Sequence, residues 1–152
     1  MTTLSRRLAL AATASLALAS PAAAQSPGGL VKIIEKYAAA LKAKDVEALV
    51  GLYAGDGVFM PENMEAAVGT AAVRAAYTKI FTIRAVDLAF TVQEAEISGN
   101  IAWLRATSAG RVKLLATGKE TEEAYNTLVV FHRVGDAWKI RAYSFALNRP
   151  GP

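Results

Sequence analysis

Cysteine is absent from this 152-residue chain, and histidine occurs once. Without thiols the protein forms no disulfide and offers no thiolate to a metal. With one histidine, any metal site would be left almost wholly to carboxylates. The cluster Glu120, Glu122 and Glu123 is acidic enough to hold a hard cation weakly, but it reads more simply as a solvated strand start, so no metal is expected. His132 itself stands beside Arg133 at a strand end, next to the Gly135–Asp136 turn. That place supplies neither the partner nor the pocket a catalytic imidazole needs. No Gly-x-Gly-x-x-Gly follows a strand, and no cofactor is expected. No basic run follows residue 24, which argues against nucleic-acid binding.

What is present begins with an export signal. Arg6 and Arg7 form a charged n-region, Leu8 to Ser20 is an uncharged Leu/Ala run, and Pro21 breaks it before Ala22-Ala23-Ala24. This three-part pattern predicts a signal peptide over residues 1–24, cut between Ala24 and Gln25. The run falls short of the ~20 apolar residues of a membrane span, so no anchor is expected after cleavage. The Ser5-Arg6-Arg7 pair leaves twin-arginine and ordinary export both open, although Ala9 stands where twin-arginine signals favour a bulky residue. The expected location is the periplasm or the medium. Losing two arginines lowers the formal charge of +4 to +2. What remains is long enough for one domain with a real core.

Residues 25–29 read as a flexible lead, 30–148 as the domain and 149–152 as a tail. Leu30, Ile33, Ile34, Tyr37 and Leu41 recur at helical spacing. Asp45 suits the N-cap of a second helix carrying Val46, Leu49, Val50 and Tyr53, ended by Gly55-Asp56-Gly57. Val58 to Met60 reads as a short strand stopped by Pro61, with another over Glu65 to Val68. Thr70 is the expected cap of a third helix bearing Val73, Tyr77, Ile80 and Phe81. Period-two alternation follows: Val86 onward, Ile101 to Leu115, Tyr125 to Val134 and Trp138 to Leu147, separated by Gly-rich turns. Helices first and strands after predict an α+β domain. A strand such as Ile101–Leu115, at ~3.3 Å per residue, would span about 50 Å, so the sheet must curl. Ala106, Ser108 and Gly110 are spaced to permit the bend. The expected architecture is a cone: three N-terminal helices packed on a strongly curved antiparallel sheet that encloses a pocket.

Several stretches, in this order, resemble the nuclear transport factor 2-like superfamily, and within it the SnoaL-like proteins of the SgcJ/EcaC type. They are Lys44-Asp45-Val46-Glu47-Ala48-Leu49, Leu52-Tyr53-Ala54-Gly55-Asp56-Gly57-Val58-Phe59, Val68-Gly69-Thr70 through Tyr77, and Gly135-Asp136-Ala137-Trp138-Lys139-Ile140, while Phe59-Met60-Pro61, Thr107-Ser108-Ala109-Gly110 and Arg141-Ala142-Tyr143-Ser144-Phe145 carry the resemblance to the SgcJ/EcaC type. The superfamily includes ketosteroid isomerases, cyclases, epoxide hydrolases, dehydratases and members that only bind or dimerise, so the resemblance implies a fold and not a reaction. The isomerases use a helix tyrosine and a protonated aspartate to hold an oxyanion, with a second aspartate as base. By that resemblance the tyrosine falls on Tyr37, the base near Pro61 and the oxyanion aspartate near Val130. Two of these positions lack the chemistry, and ketosteroid isomerisation is not expected. Glu62 would replace the base only after a register shift.

The remaining candidates come from strand and helix faces. Glu94 is the best candidate for an acid or base. It shares parity with Phe90 and Val92, so an unbroken strand turns it inward, where desolvation raises a carboxyl pKa. A bulge near Gln93 would turn it, with Glu96, to water and put Ala95 and Ile97 inside. Tyr37, Tyr53, Phe59 and Tyr77 converge as core or pocket lining, and Tyr143 and Asn148 close the last strand where the superfamily places polar pocket residues. These six residues with Glu94 form the expected ligand site, for a small, largely apolar molecule. An acid–base enzyme without a cofactor is the alternative. Trp103 and Arg105 share an outward parity and suggest a homodimer through the outer sheet face.

Overall fold

The computed structural model describes residues 27–148; the expected signal peptide, the start of the lead and the tail lie outside them. Helix α1 spans Pro27–Ala43 and so takes in the end of the expected lead. Pro27 suits a first helical position, where no backbone donor is lost. Leu30, Ile34, Tyr37, Ala40 and Leu41 form its buried face. Helix α2, Val46–Gly51, is capped as expected: the Asp45 carboxylate accepts the Ala48 N–H at 2.9 Å.

Strand β1, Tyr53–Met60, departs from the sequence reading. Tyr53 lies in the strand, not on the helix, and Gly55-Asp56-Gly57 interrupts the strand rather than ending the helix. Three extra residues bulge out between the pairs Tyr53–Ile140 and Val58–Ala142. A Cβ at Gly57 would lie 2.9 Å from the carbonyl oxygens of both Ala54 and Ile140, so only glycine fits there. Arg141 ties the bulge down, donating to the Asp56 carbonyl at 3.0 Å and pairing with its carboxylate at 3.3 Å. Strand β2 is the short Ala67–Val68. Helix α3, Gly69–Ile83, is capped at Val68 without a side-chain bond; Thr70 instead reaches the Gly55 carbonyl at 3.4 Å. The left-handed Gly69, at φ 82°, starts the helix one residue before Thr70 and displaces it from the cap.

Four long strands complete the chain: β3, Arg84–Ser98; β4, Ile101–Leu114; β5, Glu120–Val134; and β6, Ala137–Leu147. They form the antiparallel meander expected, and the six strands lie in the order β2-β1-β6-β5-β4-β3. The sheet is mixed, because β1 runs parallel to β6. Its curvature is set at the irregularities. Gln93 is an extra residue on β3, and the β5–β6 register slips between Val130 and Phe131. At Gly110 the strands pass so closely that a Cβ would strike the Asp87 carbonyl oxygen. Helix α1 lies along β3 and α3 along β1, both on the inner face, where Leu104, Val129, Phe131 and Ile140 are fully buried.

Candidate functional site

The site is assembled around three phenols. Tyr37 comes from α1, Tyr77 from α3 and Tyr53 from the start of β1. Tyr77 sits between the others, its hydroxyl 2.9 Å from that of Tyr37 and 2.8 Å from that of Tyr53. Tyr143 of β6 stacks on Tyr37 with ring centres 4.6 Å apart, and Phe59 of β1 stacks on Tyr77 at 4.5 Å. Burial pushes all four phenols well above the ordinary tyrosine value. They stay protonated, and so donate and accept hydrogen bonds without carrying charge.

Against this cluster the curled sheet leaves a cavity of about 530 Å³. Val86, Leu88 and Phe90 of β3 form one wall, and Phe145 and Leu147 of β6 another. Ser108 of β4 and Thr127 of β5 lie between them, both buried. The lining turns charged toward solvent, at Glu62, Lys79, Arg84 and Glu123. Glu62 accepts the Leu147 N–H at 3.2 Å. Glu123 accepts the Tyr125 hydroxyl in a short bond and the Thr121 hydroxyl at 3.1 Å. Partial burial, and next the bond to Glu123, push the Tyr125 phenol above its ordinary range.

Of the residues expected from sequence, the structure brings Tyr37, Phe59, Tyr77 and Tyr143 to the cavity. Tyr53 supports Tyr77 from behind and is not part of the lining. Glu94 is a correction. The Gln93 bulge reverses the parity, so Ala95 and Ile97 turn inward while Glu94 faces out, 3.5 Å from Arg105. Asn148 is also corrected: it is exposed at the end of β6, fixed by its backbone N–H to the Ala124 carbonyl at 2.8 Å. Val130 faces outward, and the inward residues of β5 are Tyr125, Thr127, Val129 and Phe131. Thr127 was legible from that parity alone, as a polar residue in an apolar register. Among the described residues no three acidic or histidine side chains gather to hold a metal.

The family model described as the SnoaL-like domain matches residues 34–143. The chain belongs to the SnoaL-like domain family. Solved structures agree on the fold. A ketosteroid isomerase-like protein from Erwinia carotovora atroseptica is similar over 81% of this chain and 96% of that one, at 26% identity and a TM-score of 0.77. An NTF2-like protein with a cystatin-like fold from Novosphingobium aromaticivorans covers 82% of each chain at 20% identity, TM-score 0.64. A hexachlorocyclohexane dehydrochlorinase matches 80% of this SnoaL-like chain and 84% of its own at 9% identity, TM-score 0.70, a likeness of fold alone. No curated protein gives a significant match.

Proposed function

We propose that this SnoaL-like domain binds a small, largely apolar molecule, and that it does so after export to the periplasm or the medium. The observation that carries the binding reading is the cavity of about 530 Å³, walled by apolar and aromatic side chains with few polar groups. Small-molecule sites usually measure about 300–1,000 Å³ and have such a lining. Export rests on the first 24 residues of the sequence. The direct test is native mass spectrometry of the exported protein, joined to titration with naphthalene as a rigid apolar probe. Narrowing the cavity with Leu88→Trp should weaken naphthalene uptake and leave the backbone circular dichroism unchanged. Equal uptake by both proteins would refute the reading.

A second reading, a cofactor-free acid–base enzyme, draws support from Glu62 and Glu123, the two carboxylates that line the cavity. It differs from binding alone in its response to Glu62→Gln and Glu123→Gln. These changes would stop turnover of a substrate while leaving uptake of a neutral probe intact.

A homodimer through the outer sheet face is part of the same proposal. Five residues in register across the sheet, Trp103, Val130, Ala142, Val58 and Val68, make an unbroken apolar row on that face. Val68 is 62% exposed at one end. An apolar band of this kind, rimmed by Arg105 and Glu94, matches the make-up of interface cores.

A further inference from the structure

We infer that Phe90 sets the length of ligand the cavity accepts: its ring closes one end against a second apolar hollow, so compact molecules fit and extended chains do not. The inference rests on the binding reading and names the shape of the ligand. The second hollow, of about 350 Å³, lies between α1 and β3 and is lined by Val31, Ile34, Glu35, Ala38, Phe90 and Val92. Among the described residues, Phe90 is the one side chain that lines both spaces.

Two elements run from one space into the other. Along β3 the inward residues come in order: Leu88 lines the cavity, Phe90 both spaces and Val92 the hollow. Along α1, Leu41 and Tyr37 line the cavity, while Ala38, Ile34 and Val31 line the hollow. Helix α1 lies along β3, so the two strips form one apolar passage interrupted at Phe90. The ring is held in place. Tyr37 meets it edge-on, with ring centres 5.8 Å apart and planes at 88°. Tyr37 is itself fixed by its bond to Tyr77 and its stacking on Tyr143. An edge-to-face pair attracts beyond the area it buries, so a chain does not displace the Phe90 ring without loss. A ligand gains affinity with each methylene it buries, and that gain ends where the chain meets the ring.

Titration with 1-alkanols of increasing length, with naphthalene as a reference, reads this limit. In the wild type each added methylene should tighten binding about fourfold until the chain reaches Phe90, and further ones should add nothing. Phe90→Ala should carry the gain on into longer chains. Phe90→Leu should extend it less, and keeps the test open should alanine unfold the protein. Adding Ala38→Phe to Phe90→Ala refills the hollow and should restore the wild-type limit. Ala38→Phe alone should leave wild-type binding unchanged. An extension that Ala38→Phe leaves in place would put the chain elsewhere and overturn the inference. If naphthalene and the alkanols bind and the limit falls at one chain length in every variant, the inference fails and the binding reading stands. The same holds if naphthalene binds and no alkanol does. If neither naphthalene nor any alkanol binds, the binding reading fails and the inference with it.

Discussion

Replacing Tyr77 by phenylalanine removes one oxygen atom and should still be among the most damaging small changes possible in this protein. The Tyr77 hydroxyl is the middle of a chain of three, bonded to Tyr37 at 2.9 Å and to Tyr53 at 2.8 Å. Its loss strands two hydroxyls that belong to side chains 2% and 6% exposed. Leaving a buried polar group unsatisfied costs about 1–3 kcal/mol, so two predict a loss of about 2–6 kcal/mol. Tyr143, stacked on Tyr37, is the phenol best placed to take over one partner and would draw the value to the low end. Removing an end of the chain is milder. Tyr53→Phe leaves Tyr77 bonded to Tyr37 and should cost about 0.5–1.5 kcal/mol. The triple phenylalanine variant removes every stranded group and should be more stable than Tyr77→Phe alone. Urea titrations of the four proteins, with the dichroism spectrum as a check on fold, read these differences directly. At this chain length a loss of 3 kcal/mol corresponds to roughly a 10 °C fall in melting temperature. Equal costs for Tyr77→Phe and Tyr53→Phe, or simple additivity in the triple variant, would refute the relay.

Other consequences follow from the same geometry. The four buried phenols hold their protons more tightly folded than unfolded, so their contribution to stability is constant below the ordinary phenol value of 10 and is lost as pH rises beyond it. Their phenolate absorbance should appear together with the loss of dichroism, not before it. Gly110→Ala should destabilise by several kcal/mol or abolish folding, since the new Cβ meets the Asp87 carbonyl; a soluble variant with an unchanged urea midpoint would contradict the packing. Trp103→Glu should give a folded monomer by light scattering if the outer row joins two copies, and a wild type monomeric at high concentration would end the dimer proposal. Tyr37→Phe should weaken binding of a hydroxyl-bearing aromatic probe such as 2-naphthol more than it weakens folding, and a stability loss with unchanged affinity would leave Tyr37 as core alone.

The strands were legible where alternation runs unbroken. On β4 the parity of Ala102, Leu104, Ala106 and Ser108 puts them inside and turns Trp103 out, as the structure has it. Alternation fails where one residue is added. Nothing about Gln93 as an amino acid marks it as a bulge, and its position decides whether Glu94 lies in the pocket or in water. Gly55-Asp56-Gly57 misleads for another reason. Glycine and aspartate punctuate a helix end and a strand bulge alike, and what selects the bulge is parallel pairing with Ile140 and Ala142, far along the chain. Thr127 carried a usable signal, a hydroxyl in the apolar register of Val129 and Phe131. The mouth carried almost none, because Glu62, Arg84 and Glu123 meet only through the closure of three separate segments.

That division between floor and mouth has a physical origin in the fold. The floor is made where α1 lies along β3 and α3 along β1 on the inner face of the sheet, and charged groups there would be desolvated. Its polar needs are met by tyrosine, which combines an apolar ring with a hydroxyl able to satisfy its neighbours. A hydroxyl relay fixes those rings against one another, so the floor is preorganised and offers an incoming molecule little to rearrange. The mouth is formed by the Pro61–Met64 turn, the start of β3 and the beginning of β5, where side chains reach water. Charges are tolerated there and are free to change without disturbing the core. A ligand bound as proposed would meet a neutral interior through a charged entrance. On that reading, changes at the mouth should alter rates of entry, whereas changes among the phenols should alter which molecule is held.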